Sequence, residues 1–204
     1  MVDSELAVMR ALRLKGRATI DGLATATGLP TAEVESVITT LAASAETREI
    51  RGAHMLLPSA RERLDALLVQ ERAGVDSSAA AELYERFNPV NADFKSLALD
   101  WQTCGEEPND HLDAQYDERV LARLPGIHER ITPIIDRLGE LVSRLALYGP
   151  RLQTALNLVQ AGESEWLLKP IIDSYHTVWF ELHEELIHLA GRNRLDEATA
   201  GRAY

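Results

Sequence analysis

The chain has 204 residues, 46% of them hydrophobic and 26% charged, which fits one large or two small globular domains able to bury a real core. No apolar run approaches the length of a membrane span, and MVDSELAVMRALRLKGR has acidic residues where a signal peptide would be basic, so the cytoplasm and no membrane are expected. The single cysteine, Cys104, excludes an internal disulfide and argues against a thiolate metal site, while the net charge of -11 disfavours unguided contact with nucleic acid.

Asp3 to Leu14 place Leu6, Met9, Ala11, Leu12 and Leu14 at helical spacing, with Ser4 as a cap and Gly16 as the stop. Thr19 then precedes a helix of about two turns through Ile20, Leu23 and Ala24, ended by Gly28. After Pro30, Thr31 is expected to cap a third helix that turns Val34, Val37, Ile38 and Leu41 inward, with Glu33 and Glu35 near its positive end. Loose alternation around Arg51, Gly52 and Ala53 predicts two short strands, Thr47 to Arg51 and His54 to Leu57, joined by a tight turn. Ser59 is expected to cap the next helix, with Leu64, Leu67 and Leu68 as its apolar side.

The Gly, Asp and Ser content of Gly74 to Ser78 marks a linker between domains at 1–73 and 79–204. Beyond it the pattern predicts a helix from Ala79 to Phe87 stopped by Asn88 and Pro89, then a second from Asn91 to Thr103. The polar loop CGEEPNDHLDAQYD gathers Asp110, His111, Asp113 and Asp117, with Asp113 as the expected cap of a helix from Ala114. Pro125 suits the first turn of a long helix to Tyr148, kinked by Pro133 near Glu129 and broken by Gly149 and Pro150. Arg151 to Ala161 forms another helix, and a charged, frayed tail is expected from Arg192 to Tyr204.

The last helical stretch, DSYHTVWFELHEELI, carries two stripes. Ile172, Tyr175, Trp179, Leu182, Leu186 and Leu189 form one, and His176, Phe180, His183 and Ile187 lie beside it. Ser174, Val178, Glu181, Glu185 and His188 fall on the remaining face, which is expected to be the outer one. The fold class is thus mainly α: a helical N-terminal domain with a short β-hairpin, followed by an all-helical bundle.

Helix, short helix, helix, hairpin, helix is the order of a winged helix-turn-helix. GRATIDGLATATGLPTAEVESVITTLAAS resembles the helix-turn-helix of MarR-type and related bacterial regulators, and LLPSARERLDALL resembles their exit from the wing. The resemblance implies a recognition helix over Thr31 to Ser44 and a wing tip at Arg51 to His54. It implies DNA contacts from Lys15, Arg17, Thr31, Ser36, Thr39, Thr40, Arg48 and Arg51. A homodimer follows from the two-fold operators of such families together with the long apolar helices. A second reading stays open, because the exposed positions of the third helix offer glutamates and hydroxyls but no cation. On that reading the N-terminal domain contacts a protein partner.

The helical domain is loosely similar in plan to the effector domains of GntR-type regulators, which hold a metal with an Asp and several His. The spacing here does not favour a metal: His176 and His183 are separated by about 10 Å of helical rise, too far to share one ion comfortably. No cofactor or metal is expected. A small-molecule effector site would use Trp101, Tyr175, Trp179 and Phe180 as apolar walls, with His128, Arg151, His176 or His183 fixing a polar group; the alternative is that these aromatics fill the core and the histidines bond carboxylates such as Asp173 or Glu184. No nucleophile elbow, phosphate loop or zinc-protease motif occurs, so no catalytic residue is assigned.

Overall fold

In the computed structural model, residues 2–192 are described, and the predicted frayed tail falls outside them from residue 193 onward. The chain divides into two compact units, Met1–Val75 and Asp76–Tyr204, and the described fold is mainly helical with two small antiparallel two-stranded sheets.

The first 75 residues contain no Phe, Tyr or Trp, so the first unit closes its core with aliphatic groups and methionine alone. Leu6, Met9 and Leu12 of α1 (Val2–Lys15) meet Leu23 of α2 (Ile20–Thr27) and Val34, Ile38 and Leu41 of α3 (Thr31–Ala43), all buried. Local chemistry sets the ends of α2. The Thr19 hydroxyl accepts the Gly22 N–H at 3.1 Å, and Gly28 takes the left-handed conformation at φ 68°. Thr31 does not cap α3 as expected. It is the first helical residue, and Pro30 stands before it, fixing φ at -55° without offering a side-chain acceptor.

Strands β1 (Thr47–Ile50) and β2 (Ala53–Leu56) pair antiparallel with Ile50 opposite Ala53. Arg51 and Gly52 both have positive φ, 53° and 77°, the geometry whose twist suits a two-residue hairpin. Ala18 bridges His54 through two backbone bonds of 3.0 and 2.7 Å, so the α1–α2 connection lies along the outer edge of β2. Helix α4 (Pro58–Ala73) starts at Pro58, where the missing N–H costs little. Ser59 therefore lies inside the first turn and is not the cap; its hydroxyl donates to the Ala45 carbonyl at 3.0 Å.

Asp76 begins the second unit by accepting the N–H groups of Ser78 and Ala79, so the expected linker is shortened to Gly74, Val75 and Asp76. The predicted stop at Asn88 and Pro89 is overturned, because α5 (Ser77–Gln102) runs unbroken through both. Leu83, Tyr84 and Phe87 before the proline and Val90, Phe94, Leu97 and Trp101 after it bury one continuous face. At roughly 25 cal/mol per Å2 that burial outweighs the roughly 3 kcal/mol cost of an interior proline, whose ring here faces solvent.

The bundle is not wholly helical either. Two-residue strands β3 (Thr103–Cys104) and β4 (Glu107–Pro108) form a hairpin before α6 (Ala114–Leu121), which Asp113 caps as expected. The long helix expected to reach Tyr148 ends early, as α7 (Leu124–Leu141), and a 3-10 turn spans Ser143–Leu147. Gly139 lets that turn close back: a Cβ there would lie 2.9 Å from Ala146 Cβ. Gly149 and Pro150 do not break a helix. They occupy the first turn of α8 (Tyr148–Gln160), where N–H groups have no partner within the helix anyway. Short α9 (Glu165–Leu168) leads to α10 (Tyr175–Leu189), capped by the Ser174 hydroxyl and packed on α5, α8 and α9.

Candidate functional site

The predicted DNA-contact residues of the first unit lie along one edge and one helix. Thr31, Ser36, Thr39 and Thr40 are all exposed on α3, beside exposed Glu33 and Glu35. The hydroxyls of Thr39 and Thr40 donate to the carbonyls of Glu35 and Ser36, one turn back, and keep acceptor capacity outward. Lys15 lies in the last turn of α1 and Arg17 one residue before the Ala18 bridge, so the bridge brings Arg17 to the edge of the hairpin that carries Arg48 and Arg51. Arg17, Arg48 and Arg51 are exposed and take part in no ion pair among the described residues. Glu49 stiffens the turn between them by accepting the Gly52 N–H at 3.2 Å.

Most of the predicted effector wall of the second unit is closed core. Tyr175 and Trp179 are fully buried, and Phe94 sits between them with ring centroids at 5.3 and 4.6 Å. Trp179 donates its indole N–H to Asn91 at 2.9 Å, which satisfies the one polar atom that burying a tryptophan would strand. The His183 ring packs at a tilt against Phe87, with centroids 5.0 Å apart. His128 is 3.2 Å from the Tyr175 hydroxyl and 3.0 Å from Gln153 Oε1; burial lowers its pKa, against the raising effects of the Gln153 bond and Glu129. His176 and Phe180 are half-buried, and burial also lowers the His176 pKa.

Arg151 is not part of that wall. It points to the face of α10 expected to lie outside, and that expectation is overturned: Glu181 is 2% exposed and Glu185 is fully buried. Arg151 reaches Glu181 at 2.7 Å and Asp173 at 3.0 Å, while Arg144 holds Glu185 with two bonds of 2.8 and 2.9 Å. Burial alone would lower the Arg151 pKa, but Glu181 and then Asp173 outweigh it and keep the guanidinium charged. Burial, then Glu185, hold the Tyr148 phenol well above its ordinary pKa. Periodicity missed Arg144, Tyr148, Glu181 and Glu185. The available signal was two carboxylates four residues apart on a helix otherwise too apolar to have a solvent face.

Trp101 borders an open cleft of about 420 Å3, with His111, Leu168 and Lys169 among its walls. Asp110 accepts the Leu112 N–H, Asp113 accepts N–H groups from the first turn of α6, and Asp117 bonds His111 and Asn109. No group of three ligating side chains suited to a metal occurs among the described residues. No protein-family model matches the chain, and neither a curated protein nor a solved structure is significantly similar to it.

Proposed function

We propose that the chain is a DNA-binding transcription regulator of winged-helix type, acting as a homodimer, whose acidic helical unit binds a small effector. The observation that carries this reading is the Ala18–His54 bridge, which aligns Arg17 with the Arg48–Arg51 hairpin after a three-helix unit. That edge presents cations to phosphates, and the α3 hydroxyls present neutral donors and acceptors to bases. The electrostatic share of binding is bounded by the cations on this edge and on α1. Lys15, Arg17, Arg48 and Arg51 set a salt slope no steeper than about -3.6 per chain, from about -0.9 for each neutralised phosphate. A mobility-shift titration on duplex DNA at two salt concentrations tests the proposal, and salt-insensitive binding or none overturns it.

One observation favours a second reading. Glu33 and Glu35 are exposed at the front of α3, which has no Lys or Arg, so that face suits a basic protein surface better than a phosphate backbone. Among the described residues no helix is long and apolar enough to cross a membrane, and no part is proposed for one.

A further inference from the structure

His111 stands at the rim of the Trp101 cleft with left-handed backbone, φ 59°, its ring centroid 4.5 Å from that of Trp101. Its neighbours fix where its proton lies. Asn109 Nδ2 has two hydrogens, and both are used, one on Asp117 Oδ1 at 2.9 Å and one on the Trp101 carbonyl at 3.1 Å. The 3.2 Å approach of Nδ2 to His111 Nδ1 is therefore not a hydrogen bond. Nδ1 instead carries the proton and donates it to Asp117 Oδ2 at 2.9 Å. In the neutral ring the lone pair is on Nε2, which has no hydrogen-bond partner among the described residues.

The rest of the cleft complements that acceptor. Trp101 and Leu168 supply apolar surface, while the side chains of Gln102 and Ser164 have no hydrogen-bond partner among the described residues. Lys169 pairs with Glu165 at 3.1 Å, so this wall carries no net charge. A volume of about 420 Å3 lies within the usual range of small-molecule sites.

We propose that this cleft binds a small, neutral, planar heterocycle with a ring N–H beside a carbonyl or ring-nitrogen acceptor, the chemistry of a nucleobase. The ring N–H donates to His111 Nε2, the Gln102 amide pairs with the adjacent acceptor, and the ring rests against Leu168 and the small part of Trp101 that stays exposed. Asp117 is a positioning residue that holds the tautomer. The proposal rests on the effector part of the function above and not on DNA contact.

The test is a titration of the 15N-labelled full chain with uracil, cytosine, adenine and hypoxanthine, followed by NMR on the histidine ring nitrogens and the tryptophan indoles. His111→Gln assigns the ring, and 1,3-dimethyluracil, which lacks both N–H donors, is the control. The free chain is expected to show a protonated Nδ1 on His111. At least one base should then give saturable shifts at His111 and Trp101, with dimethyluracil about tenfold weaker or worse. Asp117→Asn, checked for folding by circular dichroism, moves the proton to Nε2 and weakens the base about tenfold. No saturable shift with any base into the millimolar range overturns the proposal, as does equal binding of dimethyluracil or an unprotonated Nδ1 on the native chain. If the base binds but leaves DNA affinity unchanged, the effector reading fails and the site stands.

Discussion

Both terminal nitrogens of Arg144 close on the carboxylate of Glu185, at 2.8 and 2.9 Å, and Glu185 has no exposed surface. The pair ties the 3-10 turn to α10 across 41 residues of sequence. A charge so placed is costly to leave alone. Glu185→Ala is expected to destabilise the helical unit by about 3–5 kcal/mol, because it removes the buried half of a bidentate ion pair and opens a cavity. All three tryptophans, Trp101, Trp166 and Trp179, lie in this unit, so urea unfolding followed by tryptophan fluorescence reads it directly. A loss below about 1 kcal/mol would mean that the pair is solvated as a surface ion pair is.

Gly139 and Gly126 share α7 and should respond oppositely to alanine. At Gly126 a Cβ meets nothing within 4 Å, so Gly126→Ala stabilises by a few tenths to about 1 kcal/mol through helix propensity. At Gly139 a Cβ would lie 2.9 Å from Ala146 Cβ and 3.2 Å from its Cα. That overpacking costs about 1–3 kcal/mol, so Gly139→Ala lowers stability despite the same propensity gain. The same fluorescence-detected unfolding distinguishes the two.

The buried histidines make stability depend on pH in a definite direction. Burial lowers the pKa of His128 and of His176 in the fold, so the unfolded chain takes up their protons first. Stability is full above the unfolded value of about 6.5 and falls as pH drops through it towards the lower folded values. The unfolding midpoint should therefore decrease from about pH 7.5 to about pH 5.5. His128→Gln should flatten that decrease, and an unchanged slope would show that His128 does not contribute.

Much of the fold was legible because its determinants are local. Thr19 and Gly28 bound α2, Asp113 caps α6, and Arg51–Gly52 turns the hairpin, each within four residues of the chain. The errors arose where a distant partner decides. Pro89 is a helix breaker by its own chemistry, and only the face packed on α7 and α10 carries α5 through it. Glu181 and Glu185 have the composition of a solvent face; what buries them is Arg151 and Arg144, 30 and 41 residues away. The candidate sites divide in the same way. The cations of the hairpin could be listed from sequence, whereas the wall of Tyr175, Trp179 and His183 proved to be packing, and Trp101 borders a cleft.

DNA contact by the hairpin edge is tested most directly by the salt dependence of binding. In fluorescence-anisotropy titrations of the full chain on labelled duplex DNA, the logarithm of affinity should fall linearly with the logarithm of salt. The slope should be no steeper than about -3.6 per chain, and Arg48→Ala with Arg51→Ala should reduce its magnitude by about 1.8. A slope indistinguishable from zero, or one that the double substitution leaves unchanged, would contradict the account and favour a protein partner for α3.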